Sequence, residues 1–375
     1  MYFHYPTLFK GLRLTFSRRY FSPRHACLVA VFVSLFLLLR TFVWVVRLLD
    51  PVLFPGYRKQ CIRAPVYIIG NPRSGTTFTH RLVCLDQQFS YLKLYHTVFP
   101  AVSFYKFFAV AARLDYGLGS PFARALNRIS RRGFRGWETI HKTGPQKAES
   151  DEMLFVYAML SPLLGLLLPF LGELEQATFV DKLPAAKRSK LMEYYRDCLQ
   201  RHMFATGPDK TLLQKVALIA GRLGSILEVF PDMRIVHLIR HPYESVPSLI
   251  SMFCAPWRTL APQVKQDSQA SRGVAKMIFA YYRYVLQLKR SLPENQFIEV
   301  RYQDLVRDPK GTVAWIYEKL NLEMADEYRK ALEDESETAR HYKSRHTYSL
   351  EDFGLTREMV YEELHEVFEE YDFKK

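Results

Sequence analysis

Val66-Tyr-Ile-Ile-Gly70-Asn-Pro-Arg73-Ser-Gly75-Thr76-Thr77 decides how this chain is read. An apolar, β-branched run ends at a glycine, a Pro- and Gly-containing loop follows, and Phe78 to Leu85 reads as a helix. A strand, a tight loop and a helix N-terminus make an anion cradle, because the loop N–H groups and the positive end of the helix dipole converge on one spot. The glycine spacing is that of a phosphate loop, but the nucleotide-hydrolase form requires Lys and then Ser or Thr after the second glycine. Thr76 stands in the Lys position, and Arg73 is the cation inside the loop. A phosphate-type ligand fits this loop better than an ATP whose γ-phosphate is transferred. Taken alone, it could also be an ordinary strand–turn–helix corner.

A second segment, Arg234-Ile-Val-His-Leu-Ile-Arg240-His-Pro-Tyr-Glu-Ser-Val-Pro-Ser248, repeats the pattern of a buried-type strand running into a helix. Arg240 falls at the strand's C-terminal end, with Ser248 about two helical turns further on. Together the two motifs resemble the sulfotransferase superfamily, in its branch carrying P-R-S-G-T-T. Further matches are Thr77-Phe-Thr-His80-Arg81-Leu82, Gly221-Arg222-Leu223, Arg301-Tyr302-Gln-Asp304-Leu305 and His346-Thr-Tyr348, over roughly residues 64–372. The resemblance implies that Arg73, Ser74, Gly75, Thr76 and Thr77 hold the 5′-phosphosulfate of 3′-phosphoadenosine 5′-phosphosulfate. It implies that Arg240 and Ser248 grip the 3′-phosphate, with Arg345 or Lys343 of a basic C-terminal loop as further candidates.

The chain has 375 residues, 49% of them hydrophobic, ample for one large α/β core. Strand-like runs at Val66–Ile69, Leu212–Gln214, Ile235–Ile239 and Phe297–Val300 alternate with helical patterns. That alternation predicts a P-loop-like, three-layer α/β fold, with a mainly parallel sheet and helices on both faces. Ligands then bind at the C-terminal ends of the strands, where both motifs lie.

The net charge is +14, yet residues 1–63 hold ten Lys or Arg against the single acid Asp50. The excess sits beside an apolar run, about 26–46, rather than on the body, which points to a membrane surface and away from nucleic acid. We expect residues 1–63 to be a basic segment with a separable apolar anchor helix, spanning or lying in the bilayer plane. A linker follows over 50–63, and the sulfotransferase-like domain occupies 64–375. The implied location is a membrane, either a cytoplasm-facing bacterial surface or the Golgi lumen. Met153 to Gly172 is long enough to span by count, but a crossing there would separate Arg73 from Arg240. Pro162, Gly165 and Pro169 also interrupt it, so it reads as core and as part of an acceptor pocket. Cys27, Cys61, Cys84, Cys198 and Cys254 show no metal spacing or disulfide framework.

Sulfuryl transfer needs cations and N–H donors around the sulfate and a base for the acceptor hydroxyl. Arg73 and Lys215 are the expected cations. In cytosolic relatives the segment ending at Lys215 reads K-x-H, the histidine being the base; here Ala217 takes that place. The base must come from elsewhere. His96 is the first choice, a neutral imidazole suiting the task, followed by Glu152 and His80, with Asp151 beside Glu152. The residues thus point to a sulfotransferase acting on a hydroxyl or amine of a lipid, glycan or small molecule, with a nucleotide donor and no metal. A nucleotide or metabolite kinase on the same fold, or a catalytically impaired nucleotide-binding protein, stays open. Oligomeric state is not legible.

Overall fold

The computed structural model describes residues 1–71, 73–121, 124–125, 147–339 and 348–375. Five strands form one sheet: β1 (Val66–Gly70), β2 (Phe89–Tyr91), β3 (Thr211–Val216), β4 (Arg234–Ile239) and β5 (Phe297–Arg301). Their order is β2-β3-β1-β4-β5, and every pairing is parallel. β1 is central, with Val66 opposite Leu213 on one side and Arg234 on the other. It is buried throughout, as a strand covered on both faces must be.

Side chains alternate between the two faces. Val66, Ile68, Leu213, Val236 and Val300 pack under α4 (Thr76–Val83) and the helices Pro309–Lys319 and Asp326–Ala339. Tyr67, Ile69, Leu212, Ile235 and Ile239 face the larger core on the other side. That core includes long helices Ala185–Thr206, Pro242–Leu260 and Gln269–Lys289. The three-layer α/β architecture expected from the sequence is therefore present.

Met153 to Gly172 is interior rather than a crossing. A short helix, Glu152–Tyr157, ends before Pro162, where Ser161 Oγ accepts the Leu163 N–H at 3.1 Å and starts a 3-10 turn over Pro162–Leu166.

The N-terminal segment forms α1 (Tyr5–Thr15), α2 (Pro23–Arg47) and α3 (Asp50–Leu53), followed by a 3-10 turn over Pro55–Lys59. One stripe of α2 is keyed to the body. His25 Nε2 meets the Leu167 carbonyl at 2.9 Å, and Arg40 Nε donates to the Tyr157 carbonyl at 3.2 Å. Arg47 pairs with Asp197 and donates to the Pro100 carbonyl. The stretch expected to be a linker is packed instead. Asp50 is buried, takes the Val102 and Ser103 N–H groups at 3.0 and 2.9 Å, and pairs with Arg201 at 2.7 Å. Tyr57 is 1% exposed, its hydroxyl accepting from Arg201 at 2.7 Å. A composition-based boundary missed this because the partners lie on Ala185–Thr206, far along the chain.

Candidate active site

The phosphate-type loop sits at the C-terminal end of β1, between the ends of β3 and β4. Its turn depends on glycine. Gly70 has φ +154°, and a Cβ there would lie 2.5 Å from the Leu238 carbonyl. Gly75 has φ +90°, and its Cβ would meet Leu305 at 2.6 Å. Arg73 itself adopts φ +69°, and Ser74 N–H closes a turn on the Asn71 carbonyl at 3.1 Å. α4 begins immediately after Gly75, so its first N–H groups face the loop's concavity without intrahelical partners. Thr76 is buried and Thr77 exposed. Ser74 Oγ is buried with no hydrogen-bond partner among the described residues. An orphaned hydroxyl beside free helix-start N–H groups is what a bound anion, such as a phosphate or sulfate group, would satisfy.

The second motif is joined to the first by a direct bond. Arg240 Nη1 donates to the Arg73 carbonyl at 2.6 Å, and its guanidinium lies 4.4 Å from the Tyr302 ring centroid. Nε is held by Glu244 at 2.6 Å, one turn into the following helix. That helix, Pro242–Leu260, also carries Ser248, which is buried. Arg345 and Lys343 lie outside the described residues.

Lys215, the last residue but one of β3, points to the α4 face of the sheet. Its ammonium is 3.5 Å from Glu149 Oε1. Glu149 is brought there by an antiparallel bridge between Lys93 and Ala148 and by its N–H donating to the Leu92 carbonyl at 2.8 Å. Sequence reading missed Glu149. It lies two residues before Asp151, and only the pairing with the chain after β2 turns it toward Lys215.

The expected bases fall in three different surroundings. His80 on α4 is buried, its ring edge-on to Tyr91 and its Nε2 unpartnered among the described residues. Burial, and then the nearby Lys215 charge, hold its imidazole down at about 3. His96 sits in the third position of a short helix, Leu94–Val98, where its Nδ1 accepts the Lys93 N–H at 3.1 Å. Its ring packs 4.8 Å from those of Tyr105 and His202, on the sheet face opposite α4. Burial, then His202 and Lys93, push its pKa down to about 2. An imidazole that resists protonation so strongly suits packing better than proton transfer.

Glu152 is locked into a buried ion pair. Arg222 donates to it at 2.7 Å and Ser161 Oγ at 2.6 Å. Asp151 joins the same cluster, 3.2 Å from Arg222, and accepts the Tyr195 hydroxyl, which is 2.8 Å from that of Tyr67 on β1. Burial raises the Asp151 carboxyl to about 6, against the pull of Arg222. Arg222, legible in the sequence only as part of a motif match, is thus the cation that ties this acidic pair beneath the sheet.

Residues 65–326 match the sulfotransferase family, and the chain belongs to it. The omega-hydroxy-beta-dihydromenaquinone-9 sulfotransferases Stf3 of Mycobacterium bovis and Mycobacterium tuberculosis are each 25% identical over 260 residues. The match takes in 69% of this chain and spans 63% of those relatives' length. Among solved structures, sulfotransferase STF9 of Mycobacterium avium superposes with a TM-score of 0.70 at 19% identity, covering 86% of this chain and 80% of that one. STF1 of Mycobacterium tuberculosis gives 0.67 at 20% identity, covering 96% and 91%. Both share the fold.

Proposed function

We propose that the chain is a membrane-associated sulfotransferase that moves a sulfuryl group from 3′-phosphoadenosine 5′-phosphosulfate to the hydroxyl of a lipid. The observation that carries this reading is the 2.6 Å bond from Arg240 to the Arg73 carbonyl, which fixes the two anion-binding motifs side by side. A donor with phosphate groups at both the 5′ and 3′ positions is what two such motifs would hold. Family membership supports the reaction class. The name of the Stf3 relatives supports a hydroxylated lipid as acceptor.

In this reading Glu149, not His96, takes the acceptor proton. As the hydroxyl oxygen bonds to sulfur, its proton passes to the Glu149 carboxylate. The bond from sulfur to the donor's bridging phosphate oxygen breaks, releasing adenosine 3′,5′-bisphosphate. Arg73 and Lys215 offset the charge growing on the bridging and sulfate oxygens, and the N–H groups at the start of α4 orient the donor. Glu149 has the position that His96 lacks: a carboxylate beside Lys215, on the loop's side of the sheet. Asp151 and Glu152 then act as the Arg222-bound foundation of the segment that carries Glu149.

The test is single-turnover transfer of labelled sulfate from the donor to a hydroxylated lipid in detergent micelles. Labelled lipid sulfate together with stoichiometric adenosine 3′,5′-bisphosphate is expected. Tight nucleotide binding with no transfer to any hydroxylated lipid would move the chain to the binding-protein alternative.

A further inference from the structure

We infer that the chain is a monotopic membrane protein: α2 lies in the plane of one anionic leaflet, with its apolar outer face immersed, and does not cross the bilayer. This deepens the membrane half of the proposed function and rests on that half alone.

α2 has two apolar stripes. The inner one, running through Val29, Phe36 and Val43, is buried against the body. The outer one, through Val31, Leu35, Leu38, Phe42 and Val45, recurs every three or four residues and is exposed, Leu38 by 68%. A helix resting on a soluble body would present polar residues outward. Here no charged side chain lies on the outer face between Arg24 and Arg47, because Arg40, the one charge in that stretch, turns in to the Tyr157 carbonyl. Such a face needs a partner.

The outer stripe does not stop at α2. Phe42 packs on Phe104 of the helix Val102–Gly117 at 5.5 Å, Phe104 on Phe108 at 6.0 Å and Phe108 on Phe107 at 5.7 Å. From there exposed Val110, Leu114 and Leu118 continue the apolar surface. α3 adds Val52, 79% exposed, and Leu53. Exposed Arg24, Lys106 and Arg113 lie on the helices that carry this surface, and exposed Lys10, Arg13 and Arg18 on α1 and its connection to α2. Aromatic and aliphatic residues flanked by Lys and Arg complement acyl chains below negative headgroups.

Geometry excludes the spanning alternative for this fold. His25 and Arg47 are both tied to the body, and the helix between them rises about 33 Å. That is the thickness of the hydrocarbon core. A crossing α2 would have to drag the ion-paired body into hydrocarbon, or give up the His25 and Arg40 bonds and uncover the surface that Val29, Phe36 and Val43 bury.

The experiment uses the full chain with sealed phosphatidylcholine–phosphatidylglycerol vesicles, and needs neither donor nor acceptor, so it fails or succeeds separately from the catalytic reading. The wild type should float with the vesicles. Leu35→Glu/Leu38→Glu/Phe42→Glu should lower the bound fraction by about tenfold or more, with affinity for adenosine 3′,5′-bisphosphate retained. Topology is read by a membrane-impermeant maleimide on Arg18→Cys and, separately, Lys59→Cys, each with Cys27→Ser and Cys61→Ser. Equal labelling of both positions from outside is expected. Protection of the Arg18→Cys site while the Lys59→Cys site reacts would establish a span and overturn the inference. A wild type that stays in the aqueous fraction, or that forms a discrete detergent-free dimer through this face, would overturn it too.

Discussion

Lys215 Nζ and Glu149 Oε1 lie 3.5 Å apart at the C-terminal end of the sheet, both side chains largely shielded from solvent. The pair places a cation and a proton acceptor together, on the side of the sheet that carries the phosphate-type loop. In the proposed mechanism this carboxylate takes the role left open at Ala217, where a histidine base would stand in cytosolic relatives.

Glu149→Gln keeps the shape and removes the base. It is expected to lower kcat by about 10²–10⁴-fold while affinity for adenosine 3′,5′-bisphosphate changes little. His96→Ala, by contrast, should keep kcat within a few-fold and lose about 1–3 kcal/mol of stability, because it empties a buried position and removes the acceptor for the Lys93 N–H. Steady-state rates and chemical denaturation of both variants check this. A fast Glu149→Gln enzyme beside a slow but stable His96→Ala enzyme would return the proton to His96.

Arg240→Ala removes the guanidinium between the Arg73 carbonyl and the Tyr302 ring. Binding of adenosine 3′,5′-bisphosphate should weaken by about 1.5–3 kcal/mol, roughly ten- to a hundredfold, with 5′-AMP affected far less. Calorimetric titration of the two nucleotides separates the cases. Equal losses would mean that Arg240 supports the loop rather than the 3′-phosphate.

The Asp50–Arg201 pair joins the N-terminal segment to the body in a buried setting. Asp50→Ala leaves the buried guanidinium groups of Arg47 and Arg201 sharing the single carboxylate of Asp197, and two backbone N–H groups without their acceptor. A loss of about 3–5 kcal/mol is expected. Deleting residues 1–60 should be worse, exposing the surface that Val29, Phe36, Val43 and Tyr57 cover, and should give an aggregating chain. A monomeric, nucleotide-binding truncation would show instead that the segment is the separable anchor suggested by composition.

Glu299 on β5 takes hydrogen bonds from Tyr371 at 2.6 Å and Lys289 at 2.6 Å, and lies 3.4 Å from His237. Burial alone would raise its pKa, but these partners outweigh it and hold the carboxyl down from 4.5 to about 2. A depressed carboxylate contributes stability that is full above the unfolded value and is lost as pH falls from about 4.5 through about 2. Glu299→Gln should therefore cost about 1–3 kcal/mol at pH 7 and progressively less toward pH 3. Unfolding free energies at the two pH values give the difference. An equal cost at both would assign the effect to packing.

Four of the five strands were legible in the sequence: β1 and β4 because burial on both faces writes itself as a nearly continuous apolar stretch, and β3 and β5 as shorter apolar runs between helical patterns. β2 was not, since Phe89-Ser-Tyr91 is too short to show any period. The loop and Arg240 were legible because each lies within one local strand-to-helix motif. Glu149 and Arg222 were not, because their meaning comes from Lys215 and from Asp151 and Glu152, some 66 to 71 residues away along the chain. The N-terminal segment was legible as apolar and basic. That Arg40, Arg47 and Asp50 turn inward to partners more than fifty residues away could be seen only in the folded chain.

The most direct measurement is the release of adenosine 3′,5′-bisphosphate in a single turnover of the full chain, with 3′-phosphoadenosine 5′-phosphosulfate and a hydroxylated lipid in micelles, compared between wild type and Glu149→Gln. One equivalent released by the wild type, matched by labelled lipid sulfate and slowed by about 10²-fold or more in the variant, is the predicted result. Release at equal rates in both, or none from a wild type that binds the nucleotide tightly, would contradict it.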